Sequence, residues 1–179
     1  MNGAEKAPVL QTERLILRPH VPQDLDDVAA LWADPAVVKY IGGSPNTREQ
    51  SWARLLRNIG HWQALGFGYW VVCDRADGHF LGEVGFAQFK RAIEPALPDI
   101  PEAGWVLAQR AHGRGVAAEA VSCMHSWADK DRDWPQTCCI IDPDHVASLK
   151  VAQKHGYRIE GQARYYDAPI SVLLRQRGA

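Results

Sequence analysis

Apolar residues recur along the chain in two periods, and the switches between them mark out its elements. Over residues 10–18, LQTERLILR, Leu15 and Leu17 alternate with Arg14, Ile16 and Arg18, which predicts a strand ending at Pro19. From Pro22 the period lengthens. Leu25, Val28, Ala29 and Trp32 fall at i, i+3, i+4 and i+7, one face of a helix that stops near Pro35. Residues 41–45, IGGSP, form a loop. Thr47 and Gln50 then make a capping box, and Trp52, Leu55, Leu56, Ile59 and Trp62 stripe a second helix closed by Gly66. FGYWVVC, residues 67–73, is strand-like by its aromatic and β-branched content. Asp77-Gly78 signals a hairpin turn, and the partner strand runs from about Phe80 to Phe89. Three prolines, Pro95, Pro98 and Pro101, make residues 90–101 an irregular connection of the kind that often carries function.

The second half repeats the alternation. From Glu102 a short strand carrying Val106 and Leu107 runs into a turn of Arg110, His112, Gly113, Arg114 and Gly115. Val116, Ala120, Met124 and Trp127, with Ala117, Val121 and Ala128 beside them, then predict a helix. Pro135 breaks the chain, and TCCIID (137–142) reads as a strand buried on both faces. A helix over 144–155 follows, capped by Asp142 or Asp144 and closed by Gly156. Tyr157–Arg164 and Pro169–Leu174 give two final strands, while residues 1–8, small and polar, are expected to fray. The fold class expected is α/β (α+β): a three-layer, mixed and mostly antiparallel central sheet with helices on both faces. Hairpins imply antiparallel pairs, and the strand–helix–strand passage from 103 to 142 implies one parallel pair.

Composition narrows this picture. A length of 179 residues suits a single domain, 1–179, with its core between about 10 and 175. Hydrophobic residues make up 46%, charged residues 23%, and the net charge is −1, a balance that argues against a general nucleic-acid binder. No apolar run approaches the ~20 residues of a membrane span, and no apolar signal segment is evident, so a cytoplasmic protein is expected. Cys73, Cys123, Cys138 and Cys139 lie in apolar segments without CxxC spacing and read as buried reduced thiols. The seven histidines show no paired ligand spacing, so no metal is expected.

The chemistry concentrates in EAGWVLAQRAHGRGVAAEAVSCMHSW, residues 102–127. A strand entering a helix through a glycine turn aims backbone N–H groups and the positive end of the helix dipole at one point, an anion site suited to phosphate. Gly113 and Gly115 allow φ > 0 and close approach of a ligand, although two such glycines can equally serve only a tight connection. The Walker loop needs Lys then Ser or Thr after its last glycine, where Val116-Ala117 stands here. The dinucleotide loop needs three glycines opening a parallel βαβ unit, and this turn has two and lies past mid-chain.

Three segments carry a resemblance to the GNAT superfamily of N-acetyltransferases, in its RimJ/RimL-like (ribosomal-protein-alanine acetyltransferase) branch. LQTERLILR…PQDLDDVAALWADPAVVKYIGG resembles the branch's N-terminal pattern. Arg110-Ala-His-Gly113-Arg-Gly115 with Ala118-Glu119-Ala120 resembles the superfamily's acetyl-CoA loop. SLKVAQKHGYR, from Ser148 through Gly156 and Tyr157 to Arg158, resembles the branch's helix and following strand. The resemblance implies acetyl-CoA as cosubstrate, without a metal. Its pyrophosphate would meet the N–H groups of residues 112–117 (His112, Gly113, Arg114, Gly115, Val116 and Ala117), with Arg110 and Arg114 near the phosphates. Its pantetheine arm would pair with Val106, Leu107 and Ala108.

The implied reaction is direct acetyl transfer to a primary amine, of a protein or peptide N-terminus or of a small molecule. Glu102 is the first choice as general base, with Glu83 the runner-up, and a central-strand N–H near Val106–Leu107 would hold the oxyanion. The chain departs from the family at the acid. Ala152 stands where many members have Tyr, and His145 stands where the branch has Asn. Ser148, retained, could protonate the leaving sulfur or simply bind it; His145 could contact the coenzyme arm, supply the proton, or cap its helix. A non-catalytic acyl-CoA-binding or sensor domain of the same fold is the alternative. The acceptor pocket is expected from loop 41–46, the second helix, residues 90–101 and the final hairpin with Tyr165 and Tyr166. Its aromatics and acids would suit a cationic substrate. A monomer or homodimer is expected, with no nucleic-acid or membrane partner.

Overall fold

The computed structural model describes residues 7–179. In chain order the elements are β1 (Leu10–Gln11), β2 (Leu15–Arg18), α1 (Leu25–Ala33), α2 (Pro35–Val38), α3 (Arg48–Leu65), β3 (Tyr69–Asp74), β4 (Phe80–Ala87), β5 (Ile93–Glu94), β6 (Glu102–Leu107), α4 (Val116–Asp131), β7 (Gln136–Ile141), α5 (Val146–Lys154), β8 (Arg158–Tyr165) and β9 (Ala168–Gln176). Single 3₁₀ turns, Pro22–Asp24 and Gln109–Ala111, precede α1 and follow β6. The strands form one nine-stranded sheet in the order β1-β2-β3-β4-β6-β7-β9-β8-β5. Every neighbouring pair is antiparallel except β6 and β7.

Alternation along the strands sends side chains to two cores. On β3, Trp70 and Val72 join Leu15, Leu17, Phe86 and the inner face of α4, where Val116, Ala120, Val121, Met124 and Trp127 are buried. Val71 and Cys73 face the other way, against Val28, Leu31 and Trp32 of α1, Val37 and Val38 of α2, and Leu55 of α3. The expected three layers are therefore present, with α1–α3 over one face and α4 over the other.

Several boundaries differ from expectation, each for a local reason. Residues 10–18 make a tight hairpin, Leu10 opposite Leu17, because the Thr12 hydroxyl accepts the Leu15 N–H and turns the chain. Pro35 opens α2 at its first turn, where a missing N–H costs nothing, and Asp34 caps that turn by accepting from Ala36. On α3 the buried face is Ser51, Leu55, Asn58 and Trp62, whereas Trp52 and Leu56 are exposed. The 90–101 connection contains β5, paired with β8. Asp142 does not cap α5: it accepts the Asp144 N–H, and the N-cap is His145, without a side-chain cap bond. The β8–β9 turn uses Tyr166 and Asp167, both at positive φ. Of the stretch 1–8 expected to fray, residues 1–6 lie outside the described residues. Ala7 packs on the core, and the Pro8 carbonyl accepts from Trp70 Nε1 at 2.8 Å.

The α4 core holds one buried titratable group that helical periodicity did not mark. His125 packs between Phe86 and Tyr157, with ring centroids at 5.3 and 5.4 Å, and neither ring nitrogen has a hydrogen-bond partner among the described residues. Burial, reinforced by the charge of Arg175, pushes its pKa down to about 3. The unfolded chain takes up a proton near pH 6.5 that the folded chain refuses until about pH 3, so the His125 contribution is complete above pH 6.5 and is lost as pH falls. The slope approaches about 1.4 kcal/mol per pH unit in that window. Urea titrations of a His125→Leu variant are therefore expected to show a flatter decline in stability between about pH 6 and pH 4 than the parent.

Candidate active site

The parallel pair is the seam at which the sheet is held least. β6 and β7 share a single register position, Glu102 opposite Cys138, with the Cys138 N–H donating to Pro101 O at 3.0 Å. Beyond that point β6 has a ladder partner on the β4 side only. The Ala108 N–H donates to Leu81 O at 2.9 Å, which fixes the alternation. Main-chain groups of Gly104, Val106 and Ala108 face β4, and those of Trp105 and Leu107 face the seam. Of the three residues expected to offer backbone to a ligand, Leu107 is the one turned toward the gap. A His112 ring nitrogen lies 3.0 Å from its carbonyl oxygen. The Ala108 carbonyl already accepts the Ala111 N–H.

The glycine turn follows directly. Gly113 and Gly115 have φ of +70° and +74°, values that β-carbons disfavour. Gly115 is the α4 N-cap without a side-chain cap, and the first helical bond runs from the Glu119 N–H to Gly115 O at 3.1 Å. The N–H groups of Val116, Ala117 and Ala118 therefore lack helical acceptors and point out of the helix start. The His112 N–H, by contrast, already donates to Gln109 O.

Of the two arginines expected at the phosphates, Arg110 donates to the Phe80 carbonyl, and Arg114 sits half exposed 3.6 Å from Asp74. A third cation was not foreseen. Arg14, from the β1–β2 turn, donates to the Arg114 carbonyl at 2.8 Å and pairs with Glu119 at 2.6 Å, bracing the turn. Its Nη2 lies 3.5 Å from where a Cβ on Gly115 would stand. A cavity of about 380 Å³ opens beside it, lined by Arg14, Gly115, Ala118, Ser122 and Lys154 among others. The long-range cue, an arginine and a threonine two residues apart with a distant glutamate, has no periodicity to betray it.

At the far end of the seam stands Ser148, on the first turns of α5. Trp105 Nε1 donates to Ser148 Oγ at 3.0 Å. Indole nitrogen can only donate, so the serine oxygen accepts there and its own proton is left to give elsewhere. His145 stacks on Tyr40, with ring centroids 4.5 Å apart at 18°, which brings the segment after α2 across the start of α5. Burial lowers the His145 pKa, only partly opposed by Asp142, and so favours its neutral ring.

The two carboxylates have distinct surroundings. Glu102 is 8% exposed and accepts from Arg91 on both oxygens, at 2.9–3.2 Å. Arg91 also donates to the Tyr165 hydroxyl at 3.2 Å. Burial alone would lower the Arg91 pKa, but the bonds and charge of Glu102 outweigh it and raise it. Glu83 is 1% exposed and accepts from His20 at 2.6 Å, Trp32 Nε1 at 2.8 Å and Asn58 at 3.2 Å. Burial would raise its pKa, but these bonds, His20 first, hold it below the usual range. Glu83 therefore joins β4 to α1 and α3, and this explains the buried Asn58 on α3. Between the carboxylates Gly85 faces Gly104 across the β4–β6 ladder, and the Tyr69 ring fills the space where a Gly104 side chain would stand.

Among the described residues no group of three or more His, Cys, Asp or Glu side chains could hold a metal ion, and no helix is long and apolar enough to cross a membrane. Residues 14–158 match the model of the acetyltransferase (GNAT) domain. YkkB of Bacillus subtilis (strain 168) is 29% identical over 98% of both chains. The structure of a GNAT-family acetyltransferase from Bordetella pertussis superposes with a TM-score of 0.83 at 29% identity, covering 94% of this chain and 99% of its own. An acetyltransferase from Agrobacterium tumefaciens str. C58 does so with a TM-score of 0.81 at 26% identity, covering 98% of each.

Proposed function

The chain belongs to the acetyltransferase (GNAT) family and is an N-acetyltransferase, and from that premise we propose that it transfers the acetyl group of acetyl-CoA directly to the primary amine of a peptide or small molecule. The single observation that carries the reading is the seam. An open strand edge, an uncapped glycine-flanked helix start and a polarised serine stand in sequence along one gap. Acetyl-CoA would supply the activated acetyl group as a thioester.

The residues divide the work along that line. The N–H groups of Gly113–Ala117 and the α4 dipole receive the pyrophosphate, with Arg14 and Arg114 nearest in charge. The Leu107 N–H, turned into the gap, meets the amide-rich arm or the oxyanion. Glu102 takes the ammonium proton, directly or through one water, as Arg91 fixes its orientation. The amine nitrogen then bonds to the acetyl carbon as the carbon–sulfur bond breaks; Ser148, its oxygen held by Trp105, gives its proton to the departing sulfur and regains one, through water, from the proton the new amide nitrogen sheds. Burial leaves His145 better suited to a neutral hydrogen-bonding role beside Ser148 than to carrying charge.

Thiol release from acetyl-CoA across a broad amine panel tests the whole reading. Release that depends on amine and matches acetyl-amine formed is the expected result. Ser148→Ala should then lower kcat about 10-fold or more with little change in coenzyme affinity. Trp105→Phe, which removes only the donor to Ser148 Oγ, should reproduce part of that loss. Tight coenzyme binding without turnover of any amine would instead make the protein an acyl-CoA sensor.

A further inference from the structure

The side of the sheet covered by α3 gathers guanidinium groups, where the sequence led us to expect acids. Arg54 lies over the Trp32 ring at 3.5 Å, and its Nε is buried without a hydrogen-bond partner among the described residues. One helical turn on, Arg57 lies over the Phe89 ring at 4.7 Å, and Arg91 lies over the same ring at 4.4 Å. Arg91 has Glu102 as its partner. Neither Arg54 nor Arg57 enters an ion pair among the described residues. Glu83, whose charge acts on both, already accepts three hydrogen bonds, and Glu102 accepts three from Arg91.

Such a cluster is unfavourable by itself. Like charges held in a half-buried site repel, and burial with the neighbouring charge of Arg57 lowers the Arg54 pKa to about 10. Both guanidinium groups nevertheless remain protonated at neutral pH, aligned by flat aromatic rings. The cluster borders the proposed chemistry. Tyr69, whose hydroxyl end reaches the Gly104 backbone on β6, feels the charges of Glu102, Arg91 and Arg54 together. Glu102 and Gly104 share a strand face, so an acceptor with its amine at Glu102 has Tyr69 and then the two arginines within its own length.

We propose that the acceptor is a small-molecule amine that also carries an anionic group, a carboxylate or phosphonate, received by Arg54 and Arg57. This rests on the acetyl-transfer reading above and names its substrate class. A fork of guanidinium donors matches the geometry of either anion. It repels a polyamine, which would bring positive charge to three arginines. The anion fixes the molecule end-on, which leaves its amine directed at Glu102 and the seam.

The test uses matched amines in the thiol-release assay: amino acids against their amides and against the amines that lack the carboxyl, and aminoalkyl phosphonates against the same alkylamines. The anionic member of each pair should be favoured about 10- to 100-fold in kcat/KM, chiefly through KM. The two series show which anion the site takes. In the Arg54→Gln, Arg57→Gln double variant the ratio should fall toward one. Arg57→Gln alone, at an exposed position, should lower the same ratio and keeps the test open if the double variant does not fold. Equal turnover within pairs, preference for polyamines, or a ratio that survives removal of Arg57 and Arg54 overturns the assignment but leaves acetyl transfer standing. Failure of every amine, with acetyl-CoA still bound, overturns both.

Discussion

A Gly113→Val enzyme is expected to lose at least about 100-fold in affinity for acetyl-CoA while remaining folded. In the free protein a Cβ at Gly113 meets nothing within 4 Å, so crowding is not the cost there. The cost is conformational: φ is +70°, a region that costs a β-branched residue about 1–3 kcal/mol. When the valine relaxes to negative φ, the N–H groups of Gly113–Ala117 no longer converge, and its branched carbons stand where a phosphate must approach. Calorimetric titration with coenzyme A reads the affinity, and a thermal melt reads the fold. Gly113→Asn is the control, since asparagine visits the left-handed region readily and should keep much of the binding. Parent-like affinity in the valine variant would remove the turn from the coenzyme site.

Glu102→Gln is expected to lower kcat by about 100-fold or more near neutral pH, with the deficit growing as pH falls. At lower pH more of the amine is an ammonium ion and needs a base. At higher pH free amine supplies itself, so the two profiles should converge. The substitution also leaves the Arg91 guanidinium, largely buried, facing a neutral amide, and a loss of about 2–3 kcal/mol in stability is expected alongside. The double variant Arg91→Met, Glu102→Gln separates the two effects. It removes the unpaired charge and should recover stability without recovering rate. A rate and pH profile matching the parent would show that Glu102 serves only to hold Arg91.

The parts of this molecule that a linear reading reached are those with a local signal. The α4 face from Val116 to Trp127, the capping box of Thr47 and Gln50, and the two glycines of the turn each follow from spacing within a few residues. What escaped it depends on partners far along the chain. Asn58 lies off the apolar stripe that predicted α3, yet it is buried and donates to Glu83, 25 residues on. Arg14 reaches a turn 100 residues away, and Tyr40 reaches His145. Trp105 carries no spacing signal of its own, and the approach of α5 gives its N–H an acceptor. Arg54 and Arg57 lie off the apolar stripe that predicted α3, and their charge gains meaning once Trp32 lies against the one and Phe89 against the other.

The single register position between β6 and β7 has a thermodynamic corollary. Four strands and β6 lie on one side of it, four on the other, and the sheet is continuous only through Glu102 and Cys138. A cosubstrate whose amides lie along the open edge of β6 would act as an extra strand in the folded state, with nothing comparable to bind in the unfolded chain. Its occupancy then becomes part of the folding equilibrium, worth about 2.7 kcal/mol when its free concentration is 100 times its dissociation constant. The cellular level of the acetyl donor would in this way govern how long the protein survives, and not only how fast it works.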